Sequence, residues 1–138
     1  MANVIQPDLQ SAIICEDVRQ EISGAQTLVG VINVLPAPTV PINLFKLCLW
    51  TRWCSGQGKF TQKSRIVAPD EKNCVAEAEV RFDLPQLDSH TTNVHVFGGV
   101  QFKQYGVHHV EIYLDGTLCV RFPLPVLPVK QQPSSSPF

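Results

Sequence analysis

Gly106-Val-His-His-Val-Glu-Ile-Tyr-Leu-Asp-Gly-Thr-Leu-Cys-Val-Arg-Phe122 is the stretch that decides the fold. On both sides of Asp115-Gly116 apolar and polar residues alternate, the period of a half-buried strand, and the pair between them is a turn signal. Val110, Ile112 and Leu114 form the apolar face of the first arm. Leu118, Val120 and Phe122 form that of the second. A two-residue loop would set even positions opposite odd ones and split these faces. A three-residue loop, Leu114-Asp115-Gly116, pairs Ile112 with Leu118 and Val110 with Val120, with Gly116 in a left-handed bulge. The expectation is therefore a three-residue hairpin.

The return arm also reads as a sheet edge. Pro123 and Pro125 share one parity, so their missing N–H groups fall on one side, which is tolerable where that side has no partner. Leu118, Val120, Phe122 and Leu124 are the residues such an edge would offer to another chain.

Outward from the hairpin the same period recurs. Strands are expected over residues 11–18, 27–34, 44–53, 59–67, 74–82 and 91–97, with turn residues roughly every ten positions. In 44–53, Phe45, Leu47, Leu49 and Trp53 share one face, while Cys48 and Trp50 share the other, as in a central strand. Leu35-Pro-Ala-Pro-Thr-Val-Pro41 reads as a loop, because its prolines cannot sustain a ladder. Gly98-Gly99 breaks its strand with a bulge or bend. The one helix-compatible piece, Asp17 to Ile22, is short. About seven or eight short strands without a crossover helix imply an all-β chain. The expected form is a two-sheet antiparallel sandwich, immunoglobulin-like or C2-like, with a closed barrel as runner-up. Residues 1–129 are expected to form one domain and 130–138 a disordered tail.

The 138 residues are 44% hydrophobic and 17% charged, a globular balance, and the formal net charge of −1 offers no general attraction to nucleic acid or membrane. No apolar run nears the roughly 20 residues a spanning helix needs. Met1-Ala-Asn-Val-Ile-Gln-Pro-Asp8 has neither a basic start nor an apolar run, so the cytoplasm is the expected location. Five cysteines, Cys15, Cys48, Cys54, Cys74 and Cys119, with no C-x-x-C, read as reduced and mostly buried thiols.

Each candidate for chemistry has a plainer reading. Asp88-Ser89-His90 holds triad residue types, but sequence neighbours do not converge, so a polar loop is expected. His108 and His109 point to opposite faces of a strand; His95 and His109 could meet across strands. The acids Glu16-Asp17, Asp70-Glu71, and Asp83 with Asp88 lie on separate stretches and form no calcium-loop pattern. Gly56, Gly58, Gly98 and Gly99 open no helix and form no phosphate loop. Arg52, Lys59, Lys63 and Arg65, with Trp50, Trp53 and Phe60, could imitate a nucleic-acid platform, though an outer face over core aromatics fits better. Cys15, Trp50 and Cys74 invite comparison with an antibody-type core, but Lys72 stands where its tyrosine belongs. No catalytic residue, metal ligand or cofactor is expected.

Ile14-Cys-Glu-Asp-Val-Arg19, Thr27-Leu-Val-Gly-Val-Ile32 and Leu47-Cys-Leu-Trp-Thr-Arg-Trp53 resemble a family of small bacterial proteins described only as a domain of unknown function. Gly99-Val-Gln-Phe-Lys-Gln-Tyr-Gly106, Val110-Glu-Ile-Tyr-Leu-Asp-Gly116 and Phe122-Pro-Leu-Pro-Val126 fit the same family. The resemblance runs over about residues 10–126 and rests on strand patterns and turn glycines. It implies a cytoplasmic β-sandwich and transfers no catalytic residues. Cys54 and the His108-His109 pair look peculiar to this chain. The expected function is a non-catalytic interaction or assembly module, working on a protein partner or on itself through the edge strand. A small-ligand, calcium or lipid-binding sandwich is the alternative, and an enzyme the last.

Overall fold

The computed structural model describes residues 4–129. These contain nine strands and no helix. In chain order they are β1 (Asp8–Gln20), β2 (Gln26–Val31), β3 (Leu35–Ala37), β4 (Ile42–Cys54), β5 (Gly58–Val67), β6 (Cys74–Leu84), β7 (His90–Phe102), β8 (Gly106–Leu114) and β9 (Thr117–Pro128). They form a four-stranded sheet, β2-β1-β4-β7, and a five-stranded sheet, β3-β9-β8-β5-β6. All pairings are antiparallel except β3 with β9. The all-β expectation holds. The expected disordered tail lies outside the described residues.

One apolar cluster joins the sheets: Ile14, Leu47, Leu49, Trp53 and Phe97 meet Phe60, Ile66, Phe82, Val110, Ile112 and Leu124. Trp53 stacks on Phe82 with ring centroids 5.5 Å apart. A polar clasp sits inside this cluster. The side-chain carbonyl of Gln62 on β5 accepts from the Thr51 hydroxyl at 2.9 Å, the Trp53 indole at 2.8 Å and the Asn93 amide at 2.8 Å. Its amide donates to Ser64 at 2.9 Å. Gln62 is wholly buried, so each of these bonds saves a desolvation penalty, and the three to Thr51, Trp53 and Asn93 tie β5 to β4 and β7.

The last hairpin corrects the expected register. Asp115 and Gly116 have φ of 47° and 85°, and Leu114 pairs with Thr117 across a two-residue turn. Positive φ at both central positions is what such a turn requires to match strand twist. The turn does set even positions against odd ones. The mismatch is repaired within β9: Tyr113 pairs with Leu118 and Ile112 with Val120, so Cys119 is an extra, bulged residue. Beyond it Val110 faces Phe122, and the apolar faces coincide. Leu118, before the bulge, is left on the outside and is exposed.

Phe45 is a second correction. It is 93% exposed, not a core residue. Leu47 and Leu49 point inward, yet below them Ile42 and Leu44 do. On the partner strand Phe97 points inward, and so do Val100 and Phe102. Pairing keeps one register through the change, Leu47 with Phe97 and Leu44 with Val100. Both strands therefore spend two residues outward at one level and bend together, with Gly99 at φ 65° absorbing the angle. Gly98-Gly99 bends β7 without ending it. Leu35-Pro-Ala37, expected as loop, forms a short parallel strand on the end of β9, where edge position excuses Pro36. Asp17–Gln20 belongs to β1 rather than to a helical turn.

The four-stranded sheet is strongly curled. In the β1–β2 register Ile13 would lie opposite residue 33, so in a flat sheet Gln26 would stand about 23 Å along from the level of Trp50. Yet the Trp50 indole donates to Gln26 at 2.8 Å. The β1–β2 hairpin thus bends across the outer face of β4. That explains how Cys48, on the face away from the core, is fully buried, as expected of a central strand.

Candidate functional site

The two sheets meet differently along their two long sides. On the β6–β7 side, residues 85–89 connect the strands directly, and the Thr91 hydroxyl donates to the Asp83 carbonyl at 2.9 Å. On the β1–β9 side no strand pairing joins them among the described residues. β2 covers β1 only from Cys15 onward, with Ile32 N–H donating to the Ile14 carbonyl at 2.8 Å. The same side of β1 from Asp8 to Ile13 has no strand partner among the described residues. β3 covers β9 only at its end, Leu35 facing Val126, so among the described residues the outer side of β9 from Thr117 to Leu124 has no strand partner either.

These two open edges border one groove. A section of about 620 Å³ is lined by Leu9, Ala12, Cys119, Val120 and Phe122 among others. A section of about 350 Å³ continues it along Ile13, Ile14, Ile32 and Pro123. Leu9, Ala12, Ile32, Val120 and Phe122 are partly buried side chains packed against the core. The groove is a seam where the apolar interior comes to the surface between strands.

Backbone polarity in the groove follows from pairing. Backbone groups of residues two apart along a strand point the same way. Ile14 bonds toward β2, so Ala12 directs its N–H and C=O into the groove. His109 pairs with Pro123, which has no N–H to give, so Pro123 and its odd-numbered neighbours turn their polar groups away from β8. Along Val120–Leu124 the groove therefore meets the carbonyls of Arg121 and Pro123 but only one N–H, that of Arg121; the Pro125 carbonyl already accepts from Leu35 of β3 in the parallel pairing. The prolines discourage indiscriminate pairing of an edge that is otherwise open.

Of the expected edge residues, Val120 and Phe122 line the groove. Leu124 lies in the core, 1% exposed, and Leu118 faces the opposite way. The β1 half of the groove has no sequence signal of its own, because it depends on where β2 stops pairing.

Other sequence candidates are scattered. Ser89 accepts from the Gln86 amide at 3.2 Å, shaping the turn before β7. His108 is buried inside the five-stranded sheet, edge-on to Phe102 at 5.1 Å, and His109 is on that sheet's outside. His95 lies on the inner side of the other sheet and does not meet His109. Burial pushes both His95 and His108 toward the neutral form; a contact from His108 Nδ1 to the Gly106 carbonyl at 3.2 Å opposes this only in part. Asp17 pairs with Lys46 at 2.5 Å, Glu71 with Arg121, and Asp70 accepts from the amides of Lys72 and Asn73 at 2.8 and 3.0 Å. Each carboxyl is held below its usual range by those donors. Among the described residues no group of three or more His, Cys, Asp or Glu is placed to hold a metal ion. The basic stretch is divided: Arg52 is on β4, while Lys63 and Arg65 on β5 pair with Glu77 at 2.7 Å and Glu111 at 3.9 Å. Trp53 and Phe60 are in the core. The cysteines are less buried than expected, since Cys74 and Cys119 are exposed and Cys54 is half-buried.

A protein-family model matches residues 10–127, that of a family of unknown function, DUF6941. No curated protein matches the chain.

Proposed function

Because the chain belongs to the DUF6941 family, which carries no assigned chemistry, we propose from geometry alone that it is a non-catalytic binding module. Its architecture is an open two-sheet sandwich of the immunoglobulin-like or C2-like kind. It takes an extended segment of a protein partner, or of a second copy, into the groove between β1 and β9. One observation carries the reading: two strand edges, unpaired among the described residues, flank an apolar seam. An inserted strand would pair with Ala12 on one side, present N–H groups to the β9 carbonyls on the other, and cover Val120 and Phe122. Five unpaired cysteines suit a reducing compartment, which supports the cytoplasm. Nucleic acid and membranes are not the proposed partners, and no cofactor is needed.

The test maps the complexes the protein makes. Partners retained by the immobilised protein from native lysate, and any self-association seen by light scattering, are mapped by amide hydrogen exchange. Protection of residues 9–13 and 118–125, with complexes lost in Val120→Lys and Phe122→Glu, is the expected result. A complex that survives both substitutions and protects another surface overturns the proposal. So does a strict monomer that retains nothing.

A further inference from the structure

Cys15 on β1 and Cys48 on β4 are register partners in adjacent antiparallel strands, and both are free, fully buried thiols. Ile14 bonds toward β2, so Cys15 bonds toward β4 and the two form a hydrogen-bonded pair, whose Cα atoms stand about 5.5 Å apart, inside the roughly 4.4–6.8 Å that disulfides span. Their Cβ atoms, at the wide end of about 4.5–5.5 Å, need to approach by about 1.7 Å to reach the disulfide mean of about 3.8 Å. None of the other cysteines shares such a pairing: Cys54 ends β4 opposite His90 and Asp8, Cys74 pairs with Val67, and Cys119 is the bulged residue of β9.

The two thiols are held only weakly where they are. Cys15 Sγ donates to the Asp17 carbonyl at 3.4 Å and Cys48 Sγ to the Glu16 carbonyl at 3.9 Å. Their cover is the bent β1–β2 hairpin, fastened to β4 by the solvent-facing Lys46–Asp17 pair and the Trp50–Gln26 bond. Exposed ion pairs contribute little, so local opening of this hairpin is an inexpensive route for a small oxidant.

We infer that Cys15 and Cys48 are a reversible redox pair that closes into a cross-strand disulfide under a peroxide-class oxidant and reopens with a dithiol. In closing, the two S–H bonds break and one S–S bond forms. The two protons and two electrons released pass to the peroxide, whose O–O bond breaks to give two waters. In reopening, a dithiol reductant returns the two hydrogens and becomes a disulfide itself.

The test uses the intact protein. The folded chain is treated with hydrogen peroxide, remaining thiols are alkylated, and a non-reduced tryptic digest is read by mass spectrometry. Cleavage after Arg19, Lys46 and Arg52 places the two cysteines in different peptides. The expected product is those two peptides joined and two hydrogens lighter than their sum, separated again by dithiothreitol. The same product should be absent in Cys15→Ser, and the wild-type result stands alone should that variant fail to fold. Oxidation of the exposed Cys74 and Cys119 while Cys15 and Cys48 remain alkylatable would overturn the inference. So would sulfinic acid at either residue, or linkage of either to another cysteine as the main product.

Discussion

The two long sides of this molecule are built on opposite principles. The β6–β7 side is closed by chain continuity and backed by the Gln62 clasp, three of whose four hydrogen bonds join β5 to β4 and β7. The β1–β9 side has similar apolar material, with Leu9, Ala12, Val120 and Phe122, but among the described residues no ladder across it. Burying apolar side chains is therefore not what closes a pair of sheets. Directional bonds do that, and where they stop an edge remains for something else to use.

Breaking the closed side should have the largest effect. Gln62→Leu keeps volume but leaves the Trp53 and Asn93 donors buried without their acceptor, while the Thr51 hydroxyl keeps the Asn93 carbonyl at 3.3 Å. At about 1–3 kcal/mol for each of these two unsatisfied groups, a loss of roughly 2–6 kcal/mol is expected in urea unfolding. A loss under 1 kcal/mol would mean the clasp is decorative.

The inner histidines sharpen the comparison through pH. His95 has neither ring nitrogen hydrogen-bonded, and burial lowers its pKa, as it does that of His108. The unfolded imidazoles titrate near 6.5, so below that pH the unfolded chain binds protons that the folded chain refuses. Stability is then complete above about pH 7 and falls as pH drops through about 6.5, until the folded histidines titrate in turn. Each unit of separation corresponds to about 1.4 kcal/mol. His95→Leu gives up no hydrogen bond; it should match or exceed the wild type at pH 7 and show a shallower decline between pH 7 and 5. An unchanged slope would assign the decline elsewhere.

The open side should be the most forgiving. Val120 is only half-buried, and a lysine there can carry its ammonium to water. Val120→Lys should cost about 1 kcal/mol or less in the isolated protein while abolishing groove binding. A loss comparable to Gln62→Leu would show that the seam is sealed core.

The same contrast explains what the sequence made legible. The strand pattern was readable because alternation is local, and the paired glycines marked the bend in β7. Their effect on β4, which throws Phe45 outward, was not readable, since it travels through the Leu44–Val100 pairing. In the last hairpin the conflict between apolar faces and a two-residue loop was visible. Its resolution by a bulge at Cys119 was not, because a bulge and a longer loop restore parity equally well. Asp115-Gly116, a strong two-residue turn signal, was the cue to prefer the bulge. β3 escaped because three residues pairing with a strand some ninety positions away leave no local period. Half of the candidate site was legible: the prolines of β9 marked an edge, and Val120 and Phe122 do line the groove. The β1 half is a consequence of where one pairing ends.

Residue-resolved amide hydrogen exchange on the free, monomeric protein tests the central claim most directly. With the β1–β9 side open, the N–H groups of Ala12 and Arg121 exchange far faster than those of Leu49 and Ile112, which lie in central strands. Protection of Ala12 and Arg121 equal to that of Leu49 and Ile112 in the monomer would mean the edges are already paired, and would contradict the account.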